Sequence, residues 1–260
     1  MEAKLIEQLG DSLFEALRAN TVIDPISDKY PEMTIEHAYQ VQKRMTDRRV
    51  ADGETIVGKK IGVTSRAVMN MLGVYQPDFG YMTDRMIVNE GETIAMSRMI
   101  QPKAEGEIAF LLKKDLMGPG LTNADILAAT EAVIPCFEIV DSRIRDWKIK
   151  IQDTVADNAS CGLFVLGDNA VSPRKVDLST CGMVLEKNGE IIATGSGAAA
   201  MGSPVNAITW LANMLGSLGV PLKAGEVVLS GALAAMFPCA AGDNFRVSIG
   251  GIGSCSVRFG

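Results

Sequence analysis

Residues 104–112 read AEGEIAFLL and set two carboxylates, Glu105 and Glu107, into an apolar run. In a β-strand, residues two apart share a face, so these side chains stand together with Ala109 and Leu111, opposite Ile108, Phe110 and Leu112. Like charges taken out of water together are costly unless a cation or a proton compensates them. A second stretch, VIPCFEIVD at 133–141, puts Glu138 on one strand face with Cys136 and Val140. Three glutamates in two apolar strands describe an all-oxygen site suited to Mg²⁺ or Mn²⁺, ions that keep open positions for a bidentate substrate. The competing account is edge-strand glutamates that face water.

In VGKKIGVTS, alternation places Lys60 with Gly58, Gly62 and Thr64, and Lys59 on the other face with Val57, Ile61 and Val63. Glycines beside Lys60 let a ligand or another backbone approach closely. A lysine in such a pocket is suited to proton exchange; on an edge strand both lysines would instead reach out to water. Asp78 lies in the Pro-containing GVYQPDFGY, where a turn role and a site role are both open. VADNASCG groups Asp157, Asn158 and Ser160 ahead of a strand, as a turn or a ligand loop. GSGAAAMGSP lacks the third glycine of a dinucleotide-binding loop, so tight packing explains its glycines better.

Composition narrows the chemistry. The single histidine, His37, sits in the helix-like TIEHAYQVQKRM, which disfavours zinc sites and Ser-His-Asp or Cys-His systems. Five scattered cysteines without a CxxC pair suit reduced thiols in a cytoplasmic protein. A net charge of −6 with no basic run argues against a nucleic-acid partner. No signal peptide is expected from MEAKLIEQLG, and no window reaches the roughly 20 apolar residues of a membrane helix.

The elements that must position these residues begin with helices. Leu5, Leu9, Leu13, Phe14 and Leu17 recur at helical spacing within 2–19, and Thr34 to about Ala51 forms a second helix. VIDPISDKYPEM between them reads as a connection. From Ile56 onward, short β-branched runs are punctuated by glycine, with Asn188-Gly189 the clearest hairpin turn. Helices interrupt at 65–72, at 122–132 behind a capping box from Thr122 to Asp125, and at 204–215 behind Ser203 as the N-cap. Strands outnumber helices without regular alternation, which predicts an α+β fold: one domain over 1–260, with a helical layer at 1–55 and a β-rich catalytic core at 56–260.

GKKIGVTS, GVYQPDFGY, IQPKAEGEIAFLL, DLMGPG, the long run VIPCFEIVDSRIRDWKIKIQDTVADNAS and GSPVNAITWLAN together resemble the hydratase and decarboxylase family of bacterial aromatic meta-cleavage pathways. The resemblance implies the fumarylacetoacetate hydrolase C-terminal-like fold, a mixed β-sheet roll or sandwich. Within the family, QPDFGY and SRIRDWKIKIQDTVADNASCG are more similar to the 2-hydroxypenta-2,4-dienoate hydratases than to the 4-oxalocrotonate decarboxylases. Carried over by residue, the resemblance implies Mg²⁺ or Mn²⁺ on Glu105, Glu107 and Glu138, catalytic roles for Lys60 and Asp78, and substrate binding by Ser160. It also implies a homo-oligomer and a possible complex with the decarboxylase. Decarboxylation, or a mainly structural role beside the decarboxylase, are the alternatives; a C–C hydrolase would need a histidine that His37 does not supply. The run ALAAMFPCAAGDN at 232–244 is more apolar than the resemblance leads one to expect.

Overall fold

The computed structural model describes residues 1–260, the side chains of Ala67, Met71 and Leu72 excepted. Helix α1 (Ala3–Ala19) buries Ile6, Leu13 and Phe14. The connection contains one helical turn, α2 (Ile26–Lys29), that local sequence did not predict. It forms because Asp153, far along the chain, accepts hydrogen bonds from the Ser27 amide and hydroxyl. Helix α3 (Ile35–Ala51) opens on a capping box in which the Thr34 hydroxyl and the His37 ring satisfy each other's backbone amides. The sole histidine is therefore a cap.

The chain continues through β1 (Ile56–Gly62), α4 (Arg66–Leu72), β2 (Asp78–Thr83), β3 (Ile87–Asn89), β4 (Thr93–Ile94), β5 (Lys103–Leu112) and α5 (Asn123–Ala129). Then come β6 (Thr130–Val140), α6 (Ile151–Ala156), β7 (Cys161–Leu166), β8 (Gly182–Lys187), β9 (Glu190–Ser196) and α7 (Pro204–Ser217). It ends in β10 (Val227–Leu229), β11 (Phe237–Pro238), β12 (Asn244–Ile249) and β13 (Gly253–Phe259). Helix α5 stops three residues before the predicted end, because Ala132 and Val133 are taken into β6 opposite Leu111 and Phe110. Pairing with β5 outweighs local helix preference there. Ser203 precedes α7, but its side chain makes no cap; its carbonyl accepts the Asn206 amide at 2.9 Å.

One sheet runs β2-β1-β10-β5-β6-β7-β3, with β11 against β5, and the other runs β4-β13-β12-β8-β9. The Asn188-Gly189 turn between β8 and β9 has positive φ at both residues, as a tight hairpin requires. Strands β5 and β6 lie in the interior of the larger sheet, so their glutamates are not on an edge. The smaller sheet packs behind them: Phe137 meets Phe245 edge-on at 6.4 Å. Gly106 lies on that same rear face, where a Cβ would come within 2.9 Å of Val247. EGE therefore meets two demands at once, acids on one face and close packing on the other.

The N-terminal helices have their own apolar cluster, completed by Ile144, Ile151 and Val155 from the middle of the chain. Residues 1–55 thus do not cover their apolar faces alone. No described helix is long and apolar enough to cross a membrane.

Candidate active site

The antiparallel register of β5 and β6 sets Glu105 opposite Glu138 and Glu107 opposite Cys136. Directly paired residues share a face. One carboxylate oxygen from each of Glu105, Glu107 and Glu138 lies within 4.8 Å of the others. Glu107 and Glu138 are buried and Glu105 is half-buried. The Gly231 amide donates to Glu107 Oε2 at 2.8 Å, whereas both oxygens of Glu138 have no hydrogen-bond partner. Burial, then repulsion from Glu138, pushes the Glu105 carboxyl up to about 7 and that of Glu107 well above its ordinary range. An all-oxygen donor set with two orphaned buried oxygens fits a hard divalent cation.

Lys60 and Asp78 reach the same place from β1 and β2. Strand β1 is interior to the sheet, so neither of its lysines reaches water: both are 3% exposed. Lys59 pairs with Glu226 on one face. On the other, the Lys60 ammonium lies 3.2 Å from Glu138 Oε1, close enough for an ion pair but without hydrogen-bond alignment. Burial works against the Lys60 charge, yet Glu138 and Asp78 outweigh it and hold the ammonium above its ordinary value. Asp78 is the first residue of β2, opposite Gly62 in the register, and its Oδ1 is buried without a partner. Burial raises the Asp78 carboxyl, and Glu138 adds to the effect against Lys60.

Gly62 is where this arrangement has no room for a side chain. A Cβ there would stand 2.3 Å from Asp78 Oδ1 and 3.3 Å from Lys60 Nζ. Its absence makes room for the Asp78 carboxylate beside Lys60, and Gly62 itself lies with Glu105 and Glu107 on the wall of a cavity of about 500 Å³. Val63, on the same wall, has φ 56. Such backbone is strained for a β-branched residue and concentrates where a site imposes it.

Ser160 is placed differently. Asn158, Ala159 and Ser160 all have positive φ, near 55, 51 and 54, and form a left-handed turn before β7. Asn158 fastens the turn to β2, accepting from the Tyr81 amide at 2.8 Å and donating to the Tyr81 carbonyl at 2.9 Å. The Ser160 hydroxyl pairs with Thr154 at 3.1 Å rather than with the glutamates. Behind the turn, Arg143 and Asp157 form a fully buried ion pair. Gly231 and Arg143 carry no sign of their own in the sequence, whereas VADNAS marks Asn158 as part of a turn or ligand loop, to which the structure adds the tie to Tyr81.

A model of the fumarylacetoacetate (FAA) hydrolase C-terminal family matches residues 59–259. A 2-hydroxypent-2,4-dienoate hydratase of Pseudomonas putida is 65% identical over 85% of this chain and 100% of its own length. A 2-hydroxyhexa-2,4-dienoate hydratase of Comamonas testosteroni is 55% identical over 99% of this chain and 98% of its own. Among solved structures, the 4-oxalocrotonate decarboxylase of Pseudomonas putida G7, complexed with magnesium and adipate, superposes with TM-score 0.96 at 39% identity, covering 100% of this chain and 98% of that one. The chain belongs to the fumarylacetoacetate hydrolase C-terminal family, in the branch of the 2-hydroxypentadienoate hydratases.

Proposed function

We propose that this chain hydrates 2-hydroxypenta-2,4-dienoate (2-oxopent-4-enoate) to 4-hydroxy-2-oxopentanoate, as a hydro-lyase of aromatic catabolism working as one catalytic unit over residues 1–260. The observation that carries it is the cluster of Glu105, Glu107 and Glu138 with Lys60 and Asp78 against it, in a chain so similar to named hydratases. Those three glutamates would hold a divalent cation, Mg²⁺ or Mn²⁺. When bound, such an ion supplies Lewis-acid polarisation of the substrate's C2 oxygen and offsets its carboxylate charge.

The chain's own residues handle protons. Ketonisation removes the proton of the 2-hydroxyl and adds one at C5, giving a conjugated enone; water then adds its oxygen at C4 and a proton at C3. The Lys60 ammonium, held charged by Glu138 and Asp78, is the donor, and the raised Asp78 carboxylate is the base to which a proton returns. Gly62 leaves room for both groups to stand together. Ser160 acts through the left-handed turn, its hydroxyl being engaged by Thr154. Self-assembly and pairing with a decarboxylase, which the family resemblance implies, are part of this reading.

The test follows dienol absorbance when fresh 2-hydroxypenta-2,4-dienoate meets metal-stripped protein with and without Mg²⁺ or Mn²⁺, with product identification. Metal-dependent loss of the dienol and formation of 4-hydroxy-2-oxopentanoate is expected. Decay at the spontaneous rate, together with CO₂ release from 4-oxalocrotonate, would transfer the chain to the decarboxylases.

A further inference from the structure

Asp78 has few anchors of its own. It opens strand β2, its Oδ1 is buried without a partner, and β2 is an edge of the larger sheet with β1 alone beside it. The end of an edge strand is where a sheet frays most readily, and a buried, unpartnered carboxylate oxygen favours any movement towards water. On its free side, β2 is met by amide side chains instead of a strand. Asn158 serves the Tyr81 amide and carbonyl, and Gln42 of helix α3 serves the carbonyl of Phe79, the residue after Asp78.

Gln42 is buried, and its amide donates to the Phe79 carbonyl at 2.7 Å and to the Val155 carbonyl at 3.0 Å. An NH₂ group has two hydrogens, so both are used: one on the strand that starts with Asp78, the other on helix α6, which leads into the turn at Asn158–Ser160. Three residues earlier, on the same side of α3, the Tyr39 ring stacks on the Phe79 ring, with centroids 4.5 Å apart and planes 13° from parallel. Phe79 is thus held by its carbonyl and by its ring. Both holds come from residues that precede the stretch 59–259 matched by the family model.

Resting on the hydratase reading for the role of Asp78, we propose that Gln42, seconded by Tyr39, is a positioning residue that fixes where the Asp78 carboxylate stands. Their effect passes through the Phe79 backbone. Freed of Gln42, β2 can shift where Asp78 faces Gly62 in the register, and an error of about an ångström in a proton acceptor is costly in rate. The three glutamates stand on β5 and β6, which do not pair with β2, so the cation site is left intact.

The experiment compares Gln42→Met, similar in shape but without a donor, with the unmodified protein, both loaded with Mg²⁺ and given 2-hydroxypenta-2,4-dienoate. kcat should fall about tenfold, while KM and the calorimetric Kd for Mg²⁺ stay within about twofold. In an Asp78→Asn background, Gln42→Met should lower kcat no further, whereas a general loosening of the fold would multiply the two losses. Glu54→Ala, which cuts the link from Arg49 of α3 through Glu54 to Thr83 at the other end of β2, should leave kcat unchanged where it remains folded. Tyr39→Leu removes the stack but keeps both Gln42 bonds; its loss should be roughly threefold, again absent in Asp78→Asn, and it carries the test if Gln42→Met does not fold. Amide hydrogen exchange needs no turnover: Gln42→Met should quicken it in residues 78–83 and not in 103–112. An unchanged kcat, a loss that persists in Asp78→Asn, an equal loss in Glu54→Ala or unaltered exchange at 78–83 overturns the positioning role. A parent that hydrates the dienoate beside a silent Gln42→Met sinks that role alone; a parent that does not hydrate it sinks the hydratase reading and the role with it.

Discussion

Strand β2 joins two clusters of buried charge that are built on opposite terms. At its far end, Thr83 and Arg49 enclose Glu54, which also receives Arg18. Every carboxylate oxygen of Glu54 has a partner, and the cluster ties α1 and α3 to the sheet. Burial alone would raise the Glu54 carboxyl, yet Arg49, Thr83 and Arg18 together hold it below its ordinary range. At the near end, Asp78 joins Glu105, Glu107 and Glu138 around one ammonium, with three carboxylate oxygens unpartnered and the Asp78, Glu105 and Glu107 carboxyls held above their ordinary range. The first cluster is complete and serves the fold. The second is incomplete without a ligand, and such imbalance marks a site rather than a brace.

This contrast can be broken at either end. The largest effect is expected for Lys60→Ala: kcat should fall by a factor of about 10²–10⁴ while calorimetry still registers cation binding, and unimpaired turnover would remove Lys60 from proton transfer. Next, Glu54→Ala strands Arg49 in the interior and should cost about 3–5 kcal/mol in denaturant unfolding, with the catalytic pH profile of the surviving enzyme unchanged. A divalent cation at about a hundred times its Kd should stabilise the protein by about 2.7 kcal/mol, reversed by chelation; a thermal midpoint indifferent to the cation would refute the glutamate site. Smaller still, Glu107→Gln removes one repelling charge yet keeps an acceptor for Gly231, so the metal-free variant should be as stable as the parent or about 1 kcal/mol more so, and should lose the cation response.

The smallest effect separates the clusters by pH. A carboxyl held low in the folded state stabilises above its unfolded pKa and loses that contribution as pH falls through its folded one. Glu54 should therefore give an acid-side loss of stability below about 4.5, its ordinary value, that a Glu54→Gln variant lacks. An identical acid limb in both proteins would show that Glu54 is not the group responsible.

The helices of the N-terminal layer, the hairpin at Asn188-Gly189 and the shared face of Glu105 and Glu107 were legible because each depends on spacing along one element. Lys60 was legible as a candidate, though not its burial, since strand order decides whether β1 is an edge. The Glu54 cluster had no local sign, and VADNAS marked a turn or ligand loop without its tie to Tyr81, for each acquires its meaning from residues far away in the chain. The end of α5 was misplaced for a related reason: its last residues have a stronger claim on them from β5.

By itself the sequence determined which residues share a face, which turns are tight and which chemistry is closed to a chain with one histidine, because those depend on local geometry and composition. Tertiary structure alone decided that Glu138 would stand beside Glu105, that Gly62 would leave room for Asp78 next to Lys60, and that residues 234–236 would line the cavity together with Glu105 and Glu107. Those are matters of register and sheet order. They are settled by burial and hydrogen bonding summed over the whole chain, and a one-residue slip of β6 against β5 would turn Glu138 to the opposite face.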